Sequence, residues 1–405
     1  MLAHGLVHTY ELTLPILAVQ TVWAAEFPAT TLPVLGTVPT TLAVLGIVVS
    51  AGYALFGLGA LPGGVLADAY GSRPLIVACL LGMGGSFVLL AFAPNLVVVA
   101  LCLVIWGAAA SVYHPAGLAL ISKGVEERGT AFAYHGIAGN LGIALGPLAA
   151  AVMLLFTNDW RLTVGVLGVP AILAAGFALR IDVDEAAAAD DEDGDARASG
   201  SVASLDEFLS QSRTLLVGPF LLVFAVVMLS GLYYRGFLTF LPELLSGFDS
   251  LTPVEVAGRS LSPYRYVYVG LLMAGVVGQY VGGRLTDRIE VERGLALGYG
   301  SLGVLALVFL PLATAGLLPL LAVCAVMGVA LFVVQPFYQA TVAEYTPAGA
   351  RGLSYGYTYL GVFGIGALGG AVAGGILTAA NAAALFAVLA AFGFVAGAIG
   401  LYLSR

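Results

Sequence analysis

Charge is what this sequence lacks. Only 9% of its 405 residues are Asp, Glu, Lys or Arg, against 60% hydrophobic, and the mean hydropathy is +1.02. Soluble globular domains carry roughly 25% charged residues, so a water-exposed fold is excluded. Lysine is almost missing, Lys123 standing alone among fourteen arginines. Cysteine is scarce, and Cys79, Cys102 and Cys324 sit in separate apolar runs, which gives neither a disulfide framework nor metal spacing. The start, MLAHGLVHTYELTLP, has no basic n-region and carries Glu11, which argues against a cleaved secretory signal. No Walker or other phosphate loop is present, which argues against direct use of ATP. No nucleophile–base or metal constellation stands out either. The chain is therefore expected to be no enzyme, and to use no cofactor, no metal and no nucleic-acid partner.

What is present is apolar length. A transmembrane helix needs about 20 mostly apolar residues. Runs of that kind, bounded by turn signals, lie near 2–27, 41–67, 74–93, 95–122, 129–157, 160–180, 214–245, 265–287, 294–312, 317–341, 352–378 and 382–403. They predict an all-α membrane protein of twelve transmembrane helices in two pseudo-symmetric six-helix bundles, 1–180 and 214–405. Between them, residues 181–213 are polar, acidic and rich in Ala, Ser and Gly. Such a segment buries too little apolar surface to fold, and is expected to be a flexible cytoplasmic linker.

Basic residues favour the cytoplasmic side of a membrane protein. With the N-terminus inside, that side collects Arg73, Lys123, Arg128, Arg180, Arg197, Arg213, Arg284, Arg288, Arg293, Arg351 and Arg405. Arg161, Arg235, Arg259 and Arg265 fall outside or within the membrane. Both termini are thus expected in the cytoplasm, with the chain in the cell membrane as a monomer.

The two halves echo each other, as in many transporters built from repeats. GVLADAYGSR at 64–73 matches GRLTDRIEVER at 283–293, placing Asp68 opposite Asp287. VYHPAGLAL at 112–120 matches VVQPFYQAT at 333–341, pairing His114-Pro115 with Gln335-Pro336. Arg128-Gly129 matches Arg351-Gly352, and YELTLP at 10–15 loosely matches FLTFLP at 237–242. The four matches keep the same order and nearly the same offset.

GVLADAYGSR resembles the loop signature of the major facilitator superfamily, G-x-L-a-D-r-x-G-r-[KR], in Gly64, Leu66, Ala67, Asp68, Gly71 and Arg73. Ala69 and Ser72 stand where basic residues are usual. The second copy keeps Gly283, Leu285, Asp287 and Arg288 but has Glu290 in place of glycine. The resemblance implies a gating latch at Gly64, Asp68, Gly71, Arg73, Gly283, Asp287 and Arg288. HGLVHTYELTLPIL, WGAAASVYHPAGLALIS and FAYHGIAGNLGIALGPLAA further resemble the fosmidomycin-resistance branch, which implies an anionic antibiotic or metabolite as cargo. Gly142, Gly146 and Pro147, following Asn140, resemble the helix 5 antiporter signature with its kink, and small residues also allow close helix packing. The helix 4 arginine common in drug–proton antiporters is absent, Leu103 standing there.

Ionisable groups inside a bilayer are costly and usually face a cavity or a partner. His8 and Glu11 lie three apart on one face of the first helix. Glu11 is the only acid deep in the first half and the candidate proton carrier, or else a fixed counter-ion. His114 and His135 are expected at similar depth toward the cytoplasm. Arg235, alone deep in the second half, holds its charge and suits an anionic substrate or pairing with Glu11. Gln335, Tyr338 and Gln339 could add neutral hydrogen bonds. The expected function is secondary active transport of a small organic solute by alternating access, as proton-coupled efflux (an antiporter). The alternatives are substrate–proton symport for uptake and a transporter-like sensor or assembly protein. Finally, only seven residues precede His8, too few to span a hydrocarbon half-thickness of about 15 Å at 1.5 Å per residue. Helix 1 is therefore expected to begin within two or three residues of Met1, with natural first turns lying before it.

Overall fold

The computed structural model describes residues 1–18, 20–32, 36–125, 127–181, 205–347 and 351–405. In lipid every backbone N–H and C=O must be satisfied within the chain, so apolar runs of this length become helices. Among the described residues, eleven helices are long and apolar enough to cross a membrane. In chain order they are Leu42–Ala67, Ser72–Leu90, Leu96–Ser122, Tyr134–Thr157, Trp160–Ala178, Phe220–Ser246, Pro263–Thr286, Val291–Thr314, Leu317–Glu344, Leu353–Ala379 and Ala382–Leu403. They form the second to twelfth spans.

The first span is Leu2–Leu17, followed by a π-turn at Gln20–Ala24. One continuous helix to residue 27 is expected from hydropathy. Pro15 changes the end of it, because proline has no N–H to give to the carbonyl of Glu11 four residues back. The hydroxyl of Tyr53, from the second span, donates to that carbonyl at 2.6 Å instead. A helix irregularity is thereby converted into a contact between spans.

Four even-numbered spans start with a side-chain cap. Thr41 accepts from the N–H of Val44, Asn95 from Val98, Asp159 from Arg161 and Leu162, and Asn381 from Ala384. Each cap satisfies an N–H that the first helical turn leaves open. Short antiparallel hairpins, Ala29–Leu32 with Gly36–Pro39 and Val254–Val256 with Arg259–Leu261, connect spans at this same end.

Packing repeats between the first six spans and the last six. Spans 1 and 5 pack together as do 7 and 11; 3 and 6 as do 9 and 12; 2 and 4 as do 8 and 10; 3 and 4 as do 9 and 10. Across the divide, span 2 meets span 11 and span 5 meets span 8, two contacts that interchange under the same symmetry. The outward faces carry exposed residues such as Leu173, Leu297 and Leu318, an apolar belt suited to lipid.

Most of the acidic linker expected at 181–213 falls on 182–204, outside the described residues. Its last part is a helix, Leu205–Val217, where a linker reaching residue 213 is expected from composition. Ser212 and Leu215, three positions apart on one face, are buried there, so this stretch forms a helix with an inward face despite its flanking charges.

Close backbone packing involves the glycines of the fifth span. A Cβ on Gly142 would run into the carbonyl of Gly5, and one on Gly146 into that of Thr9. Gly146→Ala is therefore expected to lower the thermal midpoint of the detergent-purified protein, overpacking costing about 1–3 kcal/mol. Gly176→Ala, where nothing lies within 4 Å of the added carbon, should leave it unchanged or raise it. Equal midpoints for the two variants would contradict this packing.

Candidate substrate cavity

The cavity is built from one end of the bundle. The opening turns of spans 1, 5 and 11 and the closing turns of spans 4, 8 and 10 surround a space of about 610 Å³. From the first six spans it is lined by His8, His114, His135 and Asn140; from the last six by Gln335, Tyr338 and Gln339. All seven were singled out from sequence, and they converge. Gln279 of span 8 and the aromatic trio Tyr355, Tyr359 and Phe363 of span 11 complete the wall. Around Phe363 the eleventh helix loosens into a π-helical stretch, Leu360–Ile365, a geometry that often marks functional sites.

A narrower recess of about 60 Å³ shares His8, Gln335, Tyr338 and Phe363 with the cavity and reaches Glu11. The carboxylate of Glu11 is bonded on both sides: Nδ1 of His8 lies against Oε2 and Nη2 of Arg235 against Oε1. Glu11 and Arg235 side chains are each only 2% exposed. The Arg235 guanidinium also sits 3.7 Å over the ring of Tyr53, a cation–π contact that strengthens when desolvated. Spans 1, 2 and 7 thus meet on one charge pair. Arg235 itself is buried behind the cavity wall, bonded to Glu11, which lines the recess.

Proline sets the position of His114. Pro115 cannot donate to the carbonyl of Ser111, and the fourth span breaks at Val112 between helices Leu96–Ser111 and Tyr113–Gly124. Pro336 lies inside the tenth span at the matching place, beside Gln335. His114 and Gln335 face the same cavity from opposite repeats.

His4 is the residue that sequence reasoning passed over. It precedes His8 by four positions, one helical turn on the same face, and that spacing was the available signal. Its Nε2 lies 3.1 Å from Nε2 of His8, and its Nδ1 2.6 Å from the carbonyl oxygen of His135. The His4 and His135 rings stack at 3.7 Å, and His114 stands edge-on to His4 at 5.3 Å. Four histidines from three spans are gathered in one wall. Tyr53, Tyr113 and Phe363, which pack on these groups, were not singled out either, since aromatic residues are common in apolar spans.

The residues expected to form a latch lie at the span 2–3 and 8–9 turns. Gly71 ends helix Ala60–Tyr70 with φ 83°, a conformation natural only to glycine. Gly64 and Gly283 face open space. Arg73 donates to the carbonyls of Ala178 and Leu179 at 3.2 and 2.8 Å, tying the third span to the end of the sixth. The side chain of Asp68 is outside the described residues. Asp287 and Arg288 are exposed; the bonds described at that corner are Arg293 to Glu290 and Tyr345 to Glu292, both at 2.8 Å. Opposite the mouth, Arg259 donates to the carbonyl of Phe156 at 2.7 Å, and Arg161 pairs with Glu26 at 3.0 Å.

The family model of the Major Facilitator Superfamily matches residues 14–369. The chain belongs to that superfamily. As a major facilitator protein it is a multi-pass membrane transporter of a solute, and its structural neighbours agree. It superposes with TM-score 0.72 on a bacterial homolog of the human lysosomal transporter Spinster, solved inward-facing and unoccupied, at 15% identity over 99% of this chain and 97% of that one. It superposes with TM-score 0.71 on a mutant peptide transporter in complex with sulfate, at 14% identity over 99% and 93%. At such identities these likenesses speak for the fold alone. Two uncharacterised MFS-type transporters from Mycobacterium tuberculosis strains are 39% identical over 104 residues. That match spans 25% of this chain and 24% of theirs.

Breaking a buried ion pair on one side leaves a charge uncompensated, at a cost of about 3–5 kcal/mol. Arg235→Met is expected to destabilise the purified transporter on that scale. Replacing Glu11 by Gln in the same protein should restore most of the loss, as a double-mutant cycle in thermal unfolding measures. Additive single and double effects would show that the two side chains do not act as a pair.

Proposed function

We propose that this transporter exports a small organic anion across the cell membrane in exchange for protons, with both termini and the described cavity mouth on the cytoplasmic side. The observation that carries the reading is the Glu11–Arg235 pair between the first and seventh spans, where the recess ends. Arg235 is the one base deep in the second half, and its planar fork matches carboxylate or phosphonate oxygens in two parallel bonds. A carboxylate already occupies it. An anion entering through the cavity offers the same group, so binding exchanges one partner of Arg235 for another and loosens the tie between spans 1 and 7. The halves are then freer to rock about the site, as alternating access requires.

The cytoplasmic assignment rests on the arginine bias, which places Arg73, Arg284, Arg288 and Arg405 at the cavity end and Arg161 and Arg259 at the other. The bond from Arg259 to Phe156 ties the two halves at the far end, consistent with an inward-facing state. Exchange rather than co-transport is supported by the helix 5 pattern Gly142-Gly146-Pro147, whose glycines bring the fifth span against the backbone of the first. The likeness to fosmidomycin-resistance proteins favours a phosphonate-type or carboxylate cargo.

Proteoliposomes with an imposed pH gradient and a panel of small organic anions test this. Uphill movement of an anion opposite to proton flow is the expected result, and movement with the protons would make the protein a symporter. Arg235→Lys should raise the KM for the transported anion by about tenfold or more, since a lost charge-assisted hydrogen bond costs about 1.5–3 kcal/mol. An unchanged KM would remove Arg235 from recognition.

A further inference from the structure

We propose that His4, His8 and His114 form a three-histidine site for a divalent first-row transition ion, such as Zn²⁺, in the wall of the cavity. The argument begins with the far side of each ring. Nδ1 of His8 faces the Glu11 carboxylate and Nδ1 of His4 faces the carbonyl oxygen of His135. Both partners only accept hydrogen bonds, so both Nδ1 atoms carry their protons. In the neutral rings both Nε2 atoms then present bare lone pairs. Those atoms face each other at 3.1 Å, an arrangement that repels unless a cation lies between them.

The geometry suits a metal ion. Zinc binds imidazole nitrogen at about 2.0–2.1 Å, which puts two ligands of a tetrahedral site about 3.3 Å apart. The His4–His8 separation is already close to that value. One ligand nitrogen each from His4, His8 and His114 lies within 4.8 Å of the others, so closing the third side takes a shift of about 1.5 Å, within reach of a ring rotation at the Pro115 break. The surroundings also fit. Metal-bound histidines almost always pass their second N–H to a carboxylate or a backbone carbonyl, and His8 and His4 have one of each. Imidazole ligands favour Zn, Cu, Ni or Co over the oxygen-seeking Mg and Ca. All three histidines line the cavity, which leaves the remaining coordination positions open to it, and the Glu11 carboxylate, shared with Arg235, lies directly behind His8.

This site is independent of the transport reading, and its test uses no transport. Full-length protein in detergent is titrated with Zn²⁺ alone by calorimetry and with Co²⁺ alone by visible absorption. One ion per chain and an intense tetrahedral cobalt spectrum are expected. Glu11→Gln should weaken binding by about 10–100-fold, the usual cost of losing an outer partner, and His8→Ala or His114→Ala by more. In the unmutated protein, Zn²⁺ should shield His4, His8 and His114 from diethyl pyrocarbonate as read by mass spectrometry, a measurement that needs no variant to fold. No saturable binding near neutral pH would overturn the site. Binding that survives both histidine variants, or shielding of other residues, would overturn it equally.

Discussion

A carboxylate buried in a medium that solvates charge poorly has to be paired or be lost, and the Glu11 carboxylate is paired twice. Arg235 approaches from the seventh span, His8 from one turn earlier in the first. Several polar contacts of the interior are arranged around that group. Tyr53 lies under the Arg235 guanidinium and spends its hydroxyl on the Glu11 backbone carbonyl, which Pro15 leaves open. His8, fixed by Glu11, presents its other nitrogen to His4, and His4 is fixed in turn by the backbone of the fifth span. One charge pair therefore orders a chain of contacts that runs from the seventh span to the fifth.

The scaffold beneath is symmetric and the chemistry is not. Helix contacts in the first six spans recur in the last six. Pro115 and Pro336 place His114 and Gln335 at equivalent points. Yet all four histidines belong to the first repeat and the buried arginine to the second. A pseudo-twofold cavity thus has one wall rich in titratable or metal-seeking nitrogen and another of amides and phenols. Such a division suits a carrier whose cargo and coupling partner need different chemistry at the same depth.

Glycine gives this arrangement its closeness. The carbonyls of Gly5 and Thr9 occupy the space that side chains at Gly142 and Gly146 would need, so the first and fifth helices approach backbone to backbone. That approach lets the His4 ring reach the carbonyl of His135 and stack on its side chain.

The sequence by itself determined the class, the number of apolar spans, the repeat and the superfamily. Each follows from local composition and spacing: twenty apolar residues must form a helix in lipid, and the Gly-Asp-Gly loop signature is contiguous. It also singled out the cavity residues on either side of the pseudo-twofold, because a charge or imidazole within an apolar run is conspicuous. Other features were decided only in three dimensions. His4 sits near the start of the chain, marked only by its spacing to His8, and the fifth span folding over it is what buries it. The meeting of Glu11 with Arg235 joins residues 224 positions apart, and helical spacing reports on one face of one helix. The helix at Leu205–Val217 likewise lies partly within a stretch whose polar composition reads as linker. Local pattern fixes which residues are apolar or exceptional; which of them meet depends on how separate helices pack, and that free energy is not written in any one segment.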